Sequence, residues 1–495
     1  MSIKQGAALS SLSAAISSPL PGPSEGFRSL LERLFGERYQ ARHKSDCLIR
    51  DAYALGSIED GEGVPYAGMI HPDNPPSGPY GGTSLVWFPT QDGGTLIGLG
   101  IGTRGLSPDE GILTRPGHRR RIAALRRYLA RLGVTAWSKP DPSALAIEVP
   151  RSTRDRFSGF EHVFRRYGKE MYCNALLPKD AEIAYKVVQA FFDLYAFERG
   201  WKVLKDADRE YTDFHSTLRN DLFPAVSSAS IHSLLKQRRF VVLQGPPGTG
   251  KTRMGEEVRH RFFANRGTTV QFHPAVTYED FVVGLSPDPK GSSLRFDVRP
   301  GWLIQAANAS KEGPYLLTID EINRADLGKV LGEAVYLFEP DEIGGERRRE
   351  IRLPHAVDGG STFRYPENLF VLATMNTADR SIASMDLAIR RRFSFVTMLP
   401  ERDVIAKQGL QLAIDTFDHI AHVFVEHVTE DGFDLLPGHA YFLAKNEGDL
   451  RKRFRYELLP LLDEYLRQGV LGAASSELFA VRDSIADQLG SSGEA

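Results

Sequence analysis

The sequence predicts an α/β fold: a parallel sheet between layers of helices, followed by a helical segment and preceded by a separate α+β domain. Three observations carry that reading. From about residue 216, short continuous apolar runs alternate with helical patterns. The runs are Phe240–Leu243, Val270–Phe272, Tyr315–Ile319 and Leu369–Ala373, each bounded by turn residues, which is how strands buried on both faces read. After about Pro400 the runs stop and helical periodicity takes over, as in Val404–His419 and Leu450–Leu466. Before about residue 205 the texture differs again. Thr83–Phe88 and Leu96–Ile101 read as strands around Asp92-Gly93-Gly94, a hairpin signal, while Arg119–Leu132 and Glu182–Glu198 have helical spacing. The expected domains are therefore 1–205, 216–400 and 401–480, with a tail at 481–495. The Gly/Pro-dense stretch Gly61–Gly82 reads as loop.

Bulk properties narrow the class. A chain of 495 residues is too long for one core. With 42% hydrophobic and 25% charged residues, it has the composition of a globular protein, and a net charge of −2 leaves no global positive field for nucleic acid. Cys47 and Cys173 form no CxxC or Cys/His cluster, which argues against a disulfide framework or structural zinc and for a reducing cytosol. No apolar run approaches the roughly 20 residues that span a bilayer. The Ala/Ser/Leu-rich start, Ala7–Leu20, reads as a short helix or a disordered leader, with no role at a membrane.

The chemistry begins at Gly245-Pro246-Pro247-Gly248-Thr249-Gly250-Lys251-Thr252, which fits G-x-x-x-x-G-K-[ST] between an apolar run and a helical stretch. Glycines let backbone N–H groups converge on phosphates at the positive end of a helix. Lys251 is expected to reach the β- and γ-phosphates of ATP or GTP, and the Thr252 hydroxyl to ligate Mg²⁺. About 70 residues later, Leu316–Ile319 runs into Asp320-Glu321, two acids at the carboxyl edge of the sheet, where ligands bind. Asp320 would hold Mg²⁺, and Glu321 would orient or deprotonate the attacking water. Leu369–Ala373 leads to Asn376, either a γ-phosphate or water ligand or merely a turn cap. Arg390-Arg391-Arg392 then offers three guanidiniums pointing different ways, so at most two meet a neighbouring subunit's γ-phosphate; Arg391 and Arg392 rank first.

These elements, in this order, resemble an AAA+ module with Walker A, Walker B, sensor 1 and arginine fingers, a three-layer P-loop core with a C-terminal helical lid. The details are similar to the McrB family, the motor subunits of methyl-directed type IV restriction systems within the dynein-related and MoxR-like AAA+ group. They are Asp320-Glu321-Ile322-Asn323-Arg324-Ala325-Asp326, Met375-Asn376-Thr377-Ala378-Asp379-Arg380-Ser381 and Arg390-Arg391-Arg392-Phe393-Ser394-Phe395. Val270–Pro274, Tyr278–Phe281 and Gly438-His439-Ala440-Tyr441-Phe442 agree, so the likeness spans about residues 225–470. It implies a ring, usually a hexamer, hydrolysing nucleotide at subunit interfaces. GTP serves the family's namesake, and a separate McrC-like nuclease cuts DNA. No PD-(D/E)xK pattern stands in this chain, so it reads as motor and reader. The competing reading is a MoxR-like or dynein-related ATPase that remodels a protein partner. Phe338–Arg364, with Glu346–Glu350 and Gly359-Gly360, resembles the hairpin such motors insert before sensor 1. Its charges suit either solvent or a phosphate backbone or acidic partner at a ring pore.

In this family the N-terminal domain chooses the target, DNA and possibly modified DNA being the expected one. Between Ile101 and Lys169 stand 15 Lys and Arg against 6 Asp and Glu, densest from Arg115 to Arg121, with Arg126, Arg127 and Arg131 following. Trp87, Phe88 and Trp137 lie nearby in sequence. Two readings compete: basic side chains on phosphates with aromatic walls for a flipped base, or a solvated helix face over an aromatic core.

Overall fold

The computed structural model describes residues 25–52, 64–75, 80–89, 94–144, 147–287, 296–344, 349–378 and 385–490. Ala7–Leu20, Asp92 and Gly93, Glu346–Arg348, Asp379–Ser381 and the end after Gly490 lie outside them. The chain forms two compact units, 1–222 with 425–427, and 223–424 with 428–495.

The first unit is an antiparallel six-stranded sheet in the order β1-β2-β3-β4-β6-β5. The strands are β1 (Leu48–Ala52), β2 (Tyr66–Ile70), β3 (Thr83–Pro89), β4 (Thr95–Ile101), β5 (Ala136–Ser138) and β6 (Met171–Leu176). β3 and β4 pair as the hairpin read from sequence, Leu85 opposite Leu99 and Trp87 opposite Ile97. Period-two alternation splits them between two cores. Leu85, Trp87, Ile97 and Leu99 join the helices Glu25–Arg38, Pro116–Arg131 and Ala181–Glu198. Val86, Phe88 and Leu96 meet Phe157, Phe160 and Phe164 on the other face. The second helix layer explains why β3 is buried along its whole length. Asp180 starts the helix Ala181–Glu198 by accepting from the N–H groups of Glu182 and Ile183. Burial pushes the thiols of Cys47 and Cys173 up to about 12, so both are inert core residues.

The first unit ends at Leu222, beyond the 205 expected and past the 216 at which the second domain was to begin. The helix Asp208–Leu222 buries Phe214 and Leu218 in the first core, with Phe214 edge-on to Tyr128 at 5.4 Å, and so belongs there. Beneath it lies a charged network. Arg38 Nη2 and Nε donate to Asp193 at 2.7 and 3.0 Å, and the Tyr39 hydroxyl donates to Asp193 at 2.6 Å, with Asp193 fully buried.

The second unit holds a parallel five-stranded sheet, order β15-β7-β14-β11-β8. β7 is Phe240–Gly245, β8 Gly267–Gln271, β11 Tyr315–Asp320, β14 Leu369–Asn376 and β15 Ser394–Thr397. Phe240, Val242, Leu317, Ile319, Val371 and Ala373 face one helix layer, and Val241, Leu243, Leu316 and Leu372 face the other. β15 follows the arginine run and was not read as a strand, being four residues long and only half-buried. Two antiparallel hairpins pack onto the unit's core through Val283, Ile351 and Leu353: β9 (Val283–Pro287) with β10 (Phe296–Pro300), and β12 (Glu350–Val357) with β13 (Gly360–Arg364). The latter turns through Asp358 and Gly359, both with positive φ, as a two-residue hairpin turn requires.

Helices from Arg402 onward form the third core. The expected helix Val404–His419 is broken at Gly409, whose φ of 77° ends one helix before the next, Gln411–His427, begins. Leu450–Leu466 is nearly continuous, but a π-helical turn at Phe454–Leu458 precedes Pro460, which has no N–H to give. The tail expected at 481–495 is instead mostly helix. Ser475–Gly490 buries Leu478, Ile485 and Leu489, and Arg482 pairs with Asp463 at 2.7 Å.

Asp193→Ala leaves the buried Arg38 guanidinium with Glu210, at 3.1 Å, as its remaining counter-ion and removes the bidentate one, an expected loss of about 3 kcal/mol. Chemical denaturation of the full chain, followed by the fluorescence of buried Trp87 and Trp201, tests this. A midpoint unchanged from wild type contradicts it.

Candidate nucleotide site

The parallel register brings three strand ends side by side. Ile319 pairs with Ala373, and Asn376 with Gly245. The loop after β7 leads into the helix Lys251–Phe262, with Gly250 at φ 79° as its N-cap. Lys251 is 7% exposed, and its ammonium donates to the carbonyls of Gly245 and Pro246 at 3.0 and 2.8 Å. Burial lowers this lysine to about 8, against the pull of Glu321 and Asp320. Thr249 is fully buried and closes the loop by donating to Pro246 O at 3.0 Å.

One oxygen of Asp320 gathers two hydroxyls, Thr252 Oγ1 at 3.1 Å and Thr374 Oγ1. The Thr252 hydroxyl and Asp320 carboxylate are hard oxygen donors within reach of one small cation, and so fit Mg²⁺ with phosphate and water completing the shell. Among the described residues no cluster of three His, Cys, Asp or Glu offers a protein-only metal cage. Glu321 follows in a left-handed conformation, φ 55° and ψ 48°, rare for a residue with a side chain. That turn carries its carboxylate away from the strand direction to accept a hydrogen bond from Asn376 Nδ2. Arg324 Nε stands 3.5 Å from the second oxygen, and Thr374 Oγ1 accepts from the Glu321 N–H at 3.1 Å. Burial raises the Glu321 pKa, the direction that suits a base. Asn376 sits at the end of β14, and Thr377 N–H donates to Gly245 O at 3.2 Å, tying this loop to the P-loop strand.

The arginine run separates. Arg390 lies over the Phe395 ring at 4.5 Å. Arg392 is 9% exposed, donates to Ala388 O and pairs with Glu339 at 3.2 Å, so it is held inside its own subunit. Arg391 has 68% of its side chain exposed and reaches Glu339 at 3.3 Å.

Several residues of the site carried no role in the sequence reading. Thr374 was hidden as one polar residue in an apolar strand. The Gly438–Phe442 segment was noted only as a family resemblance. Its Gly438 and Ala440 N–H groups donate to Pro247 and Gly248 O at 3.1 and 3.0 Å, so this part of the helical region is seated on the phosphate loop. A Cβ on Gly438 would stand 2.2 Å from the Gly248 carbonyl carbon, which only glycine avoids. His439 Nδ1 accepts the Glu401 N–H at 3.3 Å, which leaves its proton on Nε2, and burial lowers it to about 4, neutral at pH 7.

A phosphate ligand beside Lys251 favours the ammonium, whereas the unliganded lysine loses its proton from about pH 8. Nucleotide affinity is therefore expected to fall as pH rises through about 8, because binding must then take up a proton. In the unliganded chain the sign for stability is opposite: between about pH 8 and the ordinary 10.5, the unfolded state binds more protons, so this group's contribution rises with pH. Fluorescent-nucleotide titration from pH 7 to 10 checks the first, and a flat profile contradicts it. Lys251→Ala is expected to bind no nucleotide; retained tight binding would remove the phosphate role.

Comparison with known proteins finds a matching domain family and relatives. Residues 240–393 match the AAA domain (dynein-related subfamily). The chain is 28% identical over 356 residues to the type IV methyl-directed restriction enzyme EcoKMcrB subunit of Escherichia coli (strain K12), covering 64% of this chain and 75% of that one. It is 26% identical over 196 residues to the type II restriction enzyme BsuMI component YdiS of Bacillus subtilis (strain 168), covering 31% of this chain and 55% of that one. With a parallel sheet flanked by helices, a phosphate loop after its first strand and a helical region beyond, the second unit carries an AAA domain of the dynein-related type, and the chain is similar to the McrB subunit.

Proposed function

We propose that the chain is the motor subunit of a restriction system. It hydrolyses ATP or GTP at the interfaces of a ring, a hexamer in this reading, and thereby activates a separate McrC-like nuclease. The observation that carries this is Asp320-Glu321 joined to Asn376 beside the phosphate loop, in a chain similar to two restriction-enzyme components. Lys251 and the loop N–H groups would hold the polyphosphate. Thr252 and Asp320 would hold Mg²⁺, which supplies positive charge against the transferring phosphoryl group. Glu321 would accept the proton of the attacking water, while Asn376 fixes the carboxylate's orientation. Arg391, exposed like Arg390 but not stacked on the Phe395 ring as Arg390 is, would reach a neighbouring copy's γ-phosphate.

DNA recognition by the first unit stays part of this proposal, carried by the exposed members of the basic stretch and not by its buried aromatics or its paired arginines. Trp87 and Phe88 are core residues. Arg119 pairs with Asp141 at 2.7 Å, Arg121 with Glu198 at 3.2 Å and Arg131 with Asp221 at 2.8 Å. Arg151, Arg156, Arg165, Arg166 and Lys169 are exposed, and their stretch would meet phosphates. The same pairing and burial favour a second reading, a first unit that selects a protein partner for remodelling. No helix among the described residues is long and apolar enough to cross a membrane.

The deciding measurement is hydrolysis of ATP and of GTP by the assembled protein, with and without methylated DNA and a nuclease subunit. Stimulation by DNA and nuclease together is expected; stimulation by a protein partner alone favours remodelling. Glu321→Gln is expected to bind nucleotide while losing about 10²–10⁴-fold in kcat, and unchanged turnover removes its role as base. Arg391→Ala is expected to lose about 10³-fold or more. Mixed with Lys251→Ala subunits, it is expected to restore no activity at interfaces that join the Lys251→Ala subunit's empty loop to the Arg391→Ala subunit's edge.

A further inference from the structure

Glu339 lies at the crossing of two parts of the second unit that the nucleotide site does not itself include. The preceding residue, Phe338, is fully buried, packed 4.6 Å from Phe240 and 5.9 Å from Phe393 between ring centroids. Phe393 directly follows Arg392. The backbones of the Glu339 segment and the arginine run are thus anchored in one aromatic cluster. A single carboxylate oxygen, Glu339 Oε1, stands 3.3 Å from Arg391 Nη2, 3.2 Å from Arg392 Nη2 and 3.6 Å from Arg349 Nη1.

Arg349 is the residue before β12, at the root of the hairpin. It is held on several sides: bidentate to Glu342, donating to Tyr336 O at 3.1 Å, and stacked 4.2 Å over the Tyr336 ring. Arg392 is buried, and Arg349 is about four-fifths covered. Two guanidiniums of fixed position therefore orient the Glu339 carboxylate, and the carboxylate in turn holds the exposed Arg391. A guanidinium has five N–H donors, so a contact through Nη2 leaves most of the fork for phosphate oxygens. A long arginine at a subunit edge otherwise spreads over many rotamers, and a finger must be in place when charge develops.

We propose that Glu339 is a positioning residue for Arg391, and that through Arg349 it makes the orientation of Arg391 depend on the root of the β12–β13 hairpin. Whatever the hairpin engages then reaches the neighbouring subunit's nucleotide through one carboxylate. This rests on the reading of Arg391 as a residue acting in trans.

The test uses the full chain in its hydrolysing assembly and reads kcat and KM separately. Glu339→Gln keeps the shape and removes the charge. It is expected to lower kcat on the order of tenfold and to leave KM for nucleotide within about twofold, since it touches no ligand of its own subunit. In an Arg391→Ala background the same substitution is expected to change nothing further, the non-additivity of two residues acting as one. Wild-type or faster turnover in Glu339→Gln overturns the proposal, and so does an equal further drop in the double variant. Arg349→Gln, which retains Glu339, provides a second route should Glu339→Gln unfold. A smaller fall in kcat, again absent in the Arg391→Ala background, is expected, and full activity overturns the hairpin link. If Arg391→Ala alone turns over like wild type, the trans assignment itself has failed, and this inference with it.

Discussion

Asp320 Oδ1 accepts hydroxyls from two different elements, Thr252 at the start of the phosphate-loop helix and Thr374 near the end of β14. That convergence is possible only because β7, β11 and β14 run parallel in a fixed register, so that their carboxyl ends open on the same edge. The register is held by side chains buried on both faces, where a slip of one residue would exchange the inner and outer sets. Glu321 and Asn376 inherit their positions from the same pairing. The left-handed turn at Glu321 is tolerable because Thr374 accepts its N–H and Asn376 holds its carboxylate.

Electrostatically the site is under tension. Burial moves Lys251 down toward neutrality and Glu321 up toward it, as expected for charges withdrawn from water. A polyphosphate with a divalent cation would reverse the first shift and change the second, so nucleotide completes the charge balance of the fold as well as occupying it. The backbone hydrogen bonds from Gly438 and Ala440 to the phosphate loop carry that balance into the helical region. Since Gly438 and Gly248 meet without side chains between them, small changes in the loop are felt directly across that contact.

Charge counting misleads in the first unit for a plain reason. Composition records how many guanidiniums a segment has and says nothing of which carboxylates fold against them. Arg119, Arg121 and Arg131 find Asp141, Glu198 and Asp221 between 22 and 90 residues away in sequence. Exposed basic residues stand in both stretches, Arg115, Arg126 and Arg127 in the denser one and Arg151, Arg156, Arg165, Arg166 and Lys169 further on.

Much of the second unit was legible in the chain itself. Apolar runs bounded by turns marked three of the five parallel strands and only the end of a fourth, β8, which is mostly exposed at Gly267–Gln271 and not buried on both faces as expected. The spacing of Gly245–Thr252, Asp320-Glu321 and Asn376 marked the phosphate loop and the strand ends beside it, because buried strands and phosphate loops impose local residue types. The helical region was visible as periodicity, although Gly409 and Pro460 interrupt it. Other features were not legible. β15 is too short and too exposed to leave a pattern, and Asp208–Leu222 reads equally well as part of either unit until Phe214 is seen against Tyr128. Which arginine is withdrawn from the surface was also undetermined, since three adjacent guanidiniums look alike until Arg392 is seen against Glu339 and Ala388. Local sequence determined the chemistry that single segments carry by their own spacing. Tertiary structure decided the rest, because burial, ion pairing and the direction of a side chain depend on partners that are distant in the chain.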